Sequence, residues 1–176
     1  MKVQVNPAGL GHLRVLLVED NEHMRILLRT LLKAFGIRDV SECTDGGQAL
    51  RALKERLPDL VLADLAMAPM DGLQLTRSIR ASEDPLESVL PIILVTAYTE
   101  RRRIEAARDA GVNEVVAKPL TPAALFQRIE EIVLRPRLFV RTPTYHGPCR
   151  RRHNKLDYAG PWRRKEDIDR VAEIDS

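Results

Sequence analysis

Leu60-Val61-Leu62-Ala63-Asp64 is four apolar residues closed by one carboxylate. Three other stretches are built the same way: Val15-Leu16-Leu17-Val18 runs into Glu19 and Asp20, Ile92-Ile93-Leu94-Val95 into Thr96, and Val115-Val116-Ala117 into Lys118-Pro119. Runs this short and this apolar fit strands buried on both faces, as in a parallel sheet. The segments between them carry helical spacing. Asn21–Phe35 places Met24, Leu27, Leu28, Leu31 and Leu32 on one side and closes at Gly36. Gly46–Arg56 turns Ala49, Leu50 and Leu53 inward, and Gly72–Ala81 turns Leu73, Leu75 and Ile79. A helix from about Glu100 to Ala110 stops at Gly111, and the last starts at Thr121 with Pro122 at its first position and runs to about Leu134. Val40–Cys43 alternates with polar residues and reads as a strand nearer the sheet edge.

Five strand–helix units in series predict an α/β, doubly wound, five-stranded parallel sheet with helices on both faces. Ligands of such sheets bind outside the carboxyl ends of the strands. There the pattern gathers Glu19, Asp20, Asp64, Thr96 and Lys118: three carboxylates, a hydroxyl and an ammonium. That set suits a divalent cation and a phosphoryl group. Singly, each residue has a plainer reading. Asp20 can cap a helix, Thr96 can serve strand propensity, and Lys118 can be a solvated charge.

Bulk composition sets the limits. The 176 residues are 44% hydrophobic but only 4% aromatic, so the core is aliphatic. Cys43 and Cys149 are far apart and make neither a metal spacing nor a disulfide framework, which points to a reducing, cytoplasmic setting. No apolar run approaches the roughly 18 residues of a membrane span, and the first ten residues carry no secretory h-region. Residues 1–134 hold 17 basic and 19 acidic residues, a net −2, whereas residues 135–176 hold 11 and 6, a net +5. The chain thus divides into an N-terminal arm (1–11), a domain (12–134) and a basic Pro/Arg-rich, non-globular extension (135–176).

Residues 12–134 resemble the receiver domain of two-component response regulators. The resemblance rests on V-L-L-V-E-D-N at 15–21, D-L-x-M-x-P-M-D-G at 64–72, L-V-T-A at 94–97 and K-P at 118–119, in order and each at a strand end. It implies a flavodoxin-like (βα)5 fold and a phosphoacceptor signalling domain rather than a conventional enzyme. Asp64 would be the phosphoacceptor. Mg2+ would be held directly by Asp20, Asp64 and the backbone carbonyl of Ala66, with Glu19 acting through water. Lys118 and Thr96 would contact the phosphoryl group, with a cis Lys118-Pro119 bond aiming Lys118. The implied partner is a sensor histidine kinase or a histidine phosphotransfer protein, and the resemblance leaves a homodimer open.

Two positions depart from the family pattern. Val115 stands where many receivers carry an aromatic switch residue, and the proline after Asp64 is displaced to Pro69. Ala66 and Tyr98, two residues after Asp64 and Thr96, flank the path of the hydrolytic water in the resemblance. Ala66 cannot orient a water and Tyr98 can shield the phosphoryl group, so slow self-dephosphorylation is expected.

Outside the cleft, Arg101-Arg102-Arg103 opens a helix against its dipole and reads either as a basic docking edge or as a solvated run. The extension repeats G-P-x-R-R plus a base. Gly147-Pro148-Cys149-Arg150-Arg151-Arg152 is echoed by Gly160-Pro161-Trp162-Arg163-Arg164-Lys165. Arg150, Arg151, Arg152, Trp162, Arg163 and Arg164 suit a phosphate backbone with base stacking, an acidic protein groove, or simply solvent. Three functions stay open: a stand-alone response regulator, a phosphorylation-controlled nucleic-acid binder, and a receiver-like adaptor that is not phosphorylated.

Overall fold

The computed structural model describes residues 10–97 and 100–149. Five strands, β1 (Arg14–Val18), β2 (Asp39–Cys43), β3 (Leu60–Asp64), β4 (Ile92–Thr96) and β5 (Glu114–Ala117), form one parallel sheet in the order β2-β1-β3-β4-β5. The helices α1 (Glu22–Ala34), α2 (Gly46–Glu55), α3 (Gly72–Arg80), α4 (Pro85–Ser88), α5 (Arg101–Asp109) and α6 (Pro122–Leu134) connect them. This is the doubly wound α/β fold that the apolar runs predict, with the polar-alternating β2 at an edge.

Strand pleating splits the core in two. Val15, Leu17, Leu60, Leu62, Ile93 and Val95 pack with Leu28 and Leu32 of α1 and Phe126 and Ile129 of α6. Leu16, Val18, Val61, Ala63, Ile92 and Leu94 pack on the other side with Leu53 of α2, Leu75 and Ile79 of α3 and Ala107 of α5. Alternate residues of one strand feed opposite faces, so no strand can shift by one residue without exposing both sets.

Local chemistry fixes the helix starts. Asn21, Asp45 and Thr121 each accept a backbone N–H of the first turn, and Asp71 forms a capping box with Gln74. Asn21, not Asp20, caps α1, which leaves the Asp20 carboxylate for other work. Gly72 permits a close approach at the start of α3. A Cβ there would fall 2.4 Å from the Asp64 carbonyl oxygen.

Three details differ from the sequence reading. The single turn α4 was not anticipated; Asp84 caps it ahead of Pro85, and buried Glu87 meets Lys54 at 2.7 Å. Leu27, assigned to the inner side of α1, is 44% exposed, because adjacent residues of a helix lie about 100° apart and Leu28 takes the core position. Residues Phe139–Thr142 (β6) and Tyr145–Pro148 (β7), within the segment read as lacking a core of its own, form an antiparallel hairpin that rests on the domain. Arg150, Arg151, Arg152, Trp162, Arg163, Arg164 and Tyr98 lie outside the described residues.

Candidate functional site

The carboxyl edge of the sheet assembles the cleft. Glu19 and Asp20 follow β1, Asp64 ends β3, Thr96 ends β4, and Lys118 follows β5. Parallel registers of Val18 with Ala63, Asp64 with Val95 and Thr96 with Ala117 bring these ends level. Glu19 is 1% exposed and Asp64 6%, while Asp20 is exposed. Carboxylate oxygens of Glu19, Asp20 and Asp64 all lie within 4.8 Å of one another. The Lys118 ammonium bridges two of them, at 3.0 Å from Asp64 Oδ1 and 3.3 Å from Glu19 Oε2. The Asn21 N–H donates to Glu19 Oε1 at 3.2 Å, and Arg25 Nη1 donates to the Glu19 carbonyl at 2.9 Å. The Lys118 N–H donates to the Thr96 carbonyl at 2.7 Å, which ties the ends of β4 and β5 together. The Lys118-Pro119 bond is cis, as the resemblance implies, and so is Ala68-Pro69.

Charge is unbalanced here. Burial, then repulsion from Asp64, pushes the Glu19 carboxyl above its usual range, against the pull of Lys118. Burial works to lower the Lys118 pKa, but its hydrogen bond and charge pairing with Asp64, helped by Glu19, outweigh this and raise it. Three carboxylates face one ammonium. A hard divalent cation with oxygen ligands fits such a donor set and would relieve the repulsion that burial amplifies.

The cleft opens into a cavity of about 330 Å³ whose wall includes His23, Met24 and Leu27 of α1. Sequence reasoning missed these three as cleft residues. Their signal was positional, since each sits within the first two turns after the Asn21 cap. Of the other expected residues, Ala66 is exposed two positions beyond Asp64. Arg101, Arg102 and Arg103 are exposed on the first turn of α5, and Arg101 pairs with Glu105 at 2.7 Å.

The comparisons agree with this geometry. The family model described as "Response regulator receiver domain" matches residues 15–130. The chain is 36% identical over 121 residues to chemotaxis protein CheY-3 of Vibrio cholerae serotype O1, spanning 69% of this chain and 92% of the relative. It is 37% identical over 120 residues to chemotaxis protein CheY of Pseudomonas aeruginosa, spanning 68% and 95%. Among solved structures, it resembles the receiver domain of sensor histidine kinase PA1611 from P. aeruginosa PAO1 at 34% identity and a TM-score of 0.61. That alignment covers 69% of this chain and 97% of the other, and the neighbour holds a magnesium ion in its active-site cleft. Motif order, sheet order and cleft carboxylates all lead to one assignment: this chain belongs to the response regulator receiver domain family.

Proposed function

We propose that this chain accepts a phosphoryl group on Asp64 from the phosphohistidine of a sensor kinase or histidine phosphotransfer protein, and signals through protein–protein contacts. One observation carries the reading: three carboxylates converge within 4.8 Å and an ammonium spans two of them. Glu19, Asp20, Asp64 and the Ala66 carbonyl would hold Mg2+, which when bound neutralises the approaching phosphoryl oxygens.

Each side chain then has a task. An Asp64 carboxylate oxygen attacks phosphorus. The phosphorus–nitrogen bond of the donor breaks, its electron pair returns to the ring nitrogen, and the proton already on the other ring nitrogen lets the donor leave as neutral imidazole. Lys118, already 3.0 Å from Asp64, stays close enough to pair with the transferred group. Thr96, buried at the neighbouring strand end, supplies a hydroxyl to it. The help is positional and electrostatic, as suits phosphoryl transfer. The α1 rim supports the choice of donor. Leu27, which lines the cleft, is 44% exposed, and its neighbour Ile26 in α1 is 46% exposed, an apolar border that a helical phosphodonor can cover. A donor of that kind places the reaction in the cytoplasm.

The test is intact mass after incubation with acetyl phosphate and Mg2+. One added phosphate, absent in Asp64→Asn and after EDTA, is the expected result. An unchanged mass at the shortest sampling time would leave the chain as an adaptor that keeps the fold without the chemistry.

A further inference from the structure

The hairpin β6–β7 takes no part in the cleft. It docks at the opposite, amino edge of the sheet, around Arg80, the last residue of α3, which is 5% exposed. Arg80 Nε donates to the Gly111 carbonyl, Nη1 to the Ser88 carbonyl and Nη2 to Asn113 Oδ1, each at 3.0 Å. Its guanidinium carbon stands 4.9 Å from the centre of the Phe139 ring, and His146 Nδ1 lies 2.9 Å from the Arg80 carbonyl oxygen. Arg137, leading into β6, donates from Nη1 to the Asn113 carbonyl at 3.2 Å and from Nε and Nη2 to the Cys149 carbonyl. Asn113 is therefore gripped twice, on its side chain by Arg80 and on its main chain by Arg137. The fit is close: a Cβ on Gly147 would fall 2.7 Å from the Gly111 Cα.

Two features make this contact detachable and connected. The Arg80 guanidinium is buried against neutral oxygens and a ring. Undocking rehydrates the charge, which offsets part of what the hairpin loses. The connection is β5 itself. Asn113 immediately precedes it and Lys118 immediately follows it, so a strand of four residues joins hairpin clamp to cleft ammonium over about 16 Å. Alongside runs a cavity of about 650 Å³, walled by Thr96 and Ala117 at the cleft end and by Tyr145 and Pro148 of the hairpin at the other. Among the described residues β5 has no strand neighbour on that side.

We propose that the hairpin is a strap coupled through β5 to the state of Asp64: fastened while Asp64 is unmodified, and loosened when a phosphoryl group, inserted into the 3.0 Å contact between Asp64 and Lys118, displaces the Lys118 end of β5. The clamp bonds fit Asn113 in its present position, and hydrogen bonds weaken steeply with misalignment. Loosening removes one wall of the large cavity and bares the outer edge of β5. The inference rests on the reading of Asp64 as the phosphoacceptor.

The experiment is hydrogen exchange by mass spectrometry on the full chain, with intact mass taken from the same sample. With acetyl phosphate and Mg2+, peptides over residues 137–149 should exchange about five-fold faster or more, while the β3 peptide does not change. An added phosphate with no change at 137–149 overturns the strap and leaves the phosphoacceptor reading standing. No added phosphate overturns both. A second arm uses Arg137→Ala and Gly147→Val, which undock the hairpin without touching the cleft. Because coupling is reciprocal, both variants should bind beryllium fluoride with Mg2+ more tightly by the factor seen in exchange. A hairpin that only braces the fold would leave that affinity at the wild-type value, which would overturn the strap.

Discussion

Two cations stand at opposite edges of one sheet, Arg80 buried and Lys118 partly so, and their surroundings differ in charge. Lys118 lies between the Asp64 and Glu19 carboxylates, with Asp20 beside them, and is held above its ordinary pKa. Arg80 lies among three neutral oxygens and a ring, and burial pushes it down to about 9. The first edge has more negative charge than its own cation neutralises, so it is built to receive something positive. The second has its donors matched to acceptors and is built to hold polypeptide. Burial alone does not separate a reactive site from a structural one; the local charge balance does.

Exchanging the two cations for alanine is the largest way to break this comparison. Lys118→Ala should lower the rate of phosphorylation by acetyl phosphate at least about ten-fold, the loss of roughly 1.4 kcal/mol of transition-state stabilisation. Arg80→Ala should leave that rate nearly unchanged but lower stability by about 3 kcal/mol, because three buried hydrogen bonds are lost, although Asn113 Oδ1 keeps the Ile92 N–H. Labelling kinetics and urea midpoints on both variants decide it. If Arg80→Ala stops labelling while Lys118→Ala unfolds the protein, the division of roles is wrong.

The cleft edge was legible in the sequence and the opposite edge was not, for a physical reason. Strand ends of a parallel sheet gather by topology, so Glu19, Asp20, Asp64, Thr96 and Lys118 could be placed together from spacing alone. Arg80 reads in sequence as an ordinary base in the last turn of a helix. Its partners are Gly111, Ser88 and Asn113 from two later segments, and Phe139, about sixty residues on in a Pro-bounded stretch with little apolar periodicity. The turn α4 escaped because four residues carry no period. Leu27 was misplaced because an unbroken leucine pair fits the core face equally well in either phase.

Metal addition sharpens the electrostatic half of the comparison. Glu19 has a folded pKa above its unfolded value, so the folded chain holds that proton more tightly. Without metal, its contribution to stability is present below the unfolded value and is lost as pH rises through the folded one. Mg2+ should therefore stabilise the fold more at neutral pH than near pH 5, with about 1.4 kcal/mol gained for each ten-fold excess over its Kd, read as a larger rise in the thermal midpoint. Glu19→Gln should flatten the pH dependence. An equal Mg2+ effect at both pH values would count against Glu19 as a ligand.

The lifetime of the adduct is a smaller effect at the same edge. Ala66 offers no side-chain group to a hydrolytic water. Ala66→Asn adds one hydrogen-bonding group worth about 1 kcal/mol, which should shorten the half-life of phospho-Asp64 about five-fold. Following the added mass over time measures it, and an unchanged or longer half-life would remove Ala66 from the hydrolysis path.

The weakest expected effect belongs to an ion pair at the amino edge that has neither the burial of Arg80 nor the crowding of Lys118. Arg14 and Asp59 meet at 2.9 Å where β1 and β3 begin, and Asp59 also accepts the Arg14 N–H at 2.9 Å. The hydrogen bond from the Arg14 side chain holds the Asp59 carboxyl below its usual range. A depressed folded pKa contributes stability above the unfolded value of 3.8 and loses it as pH falls through the folded one. Both side chains are more than a third exposed, so water and salt screen most of the attraction. Asp59→Asn should therefore lower the urea midpoint only slightly at neutral pH, less in high salt, and not at all once the wild-type carboxyl is protonated. A large loss that persists in acid would mean that the Asp59 contact with the Arg14 backbone matters more than its charge. The amino edge would then be held by hydrogen bonds alone, at this pair as at Arg80.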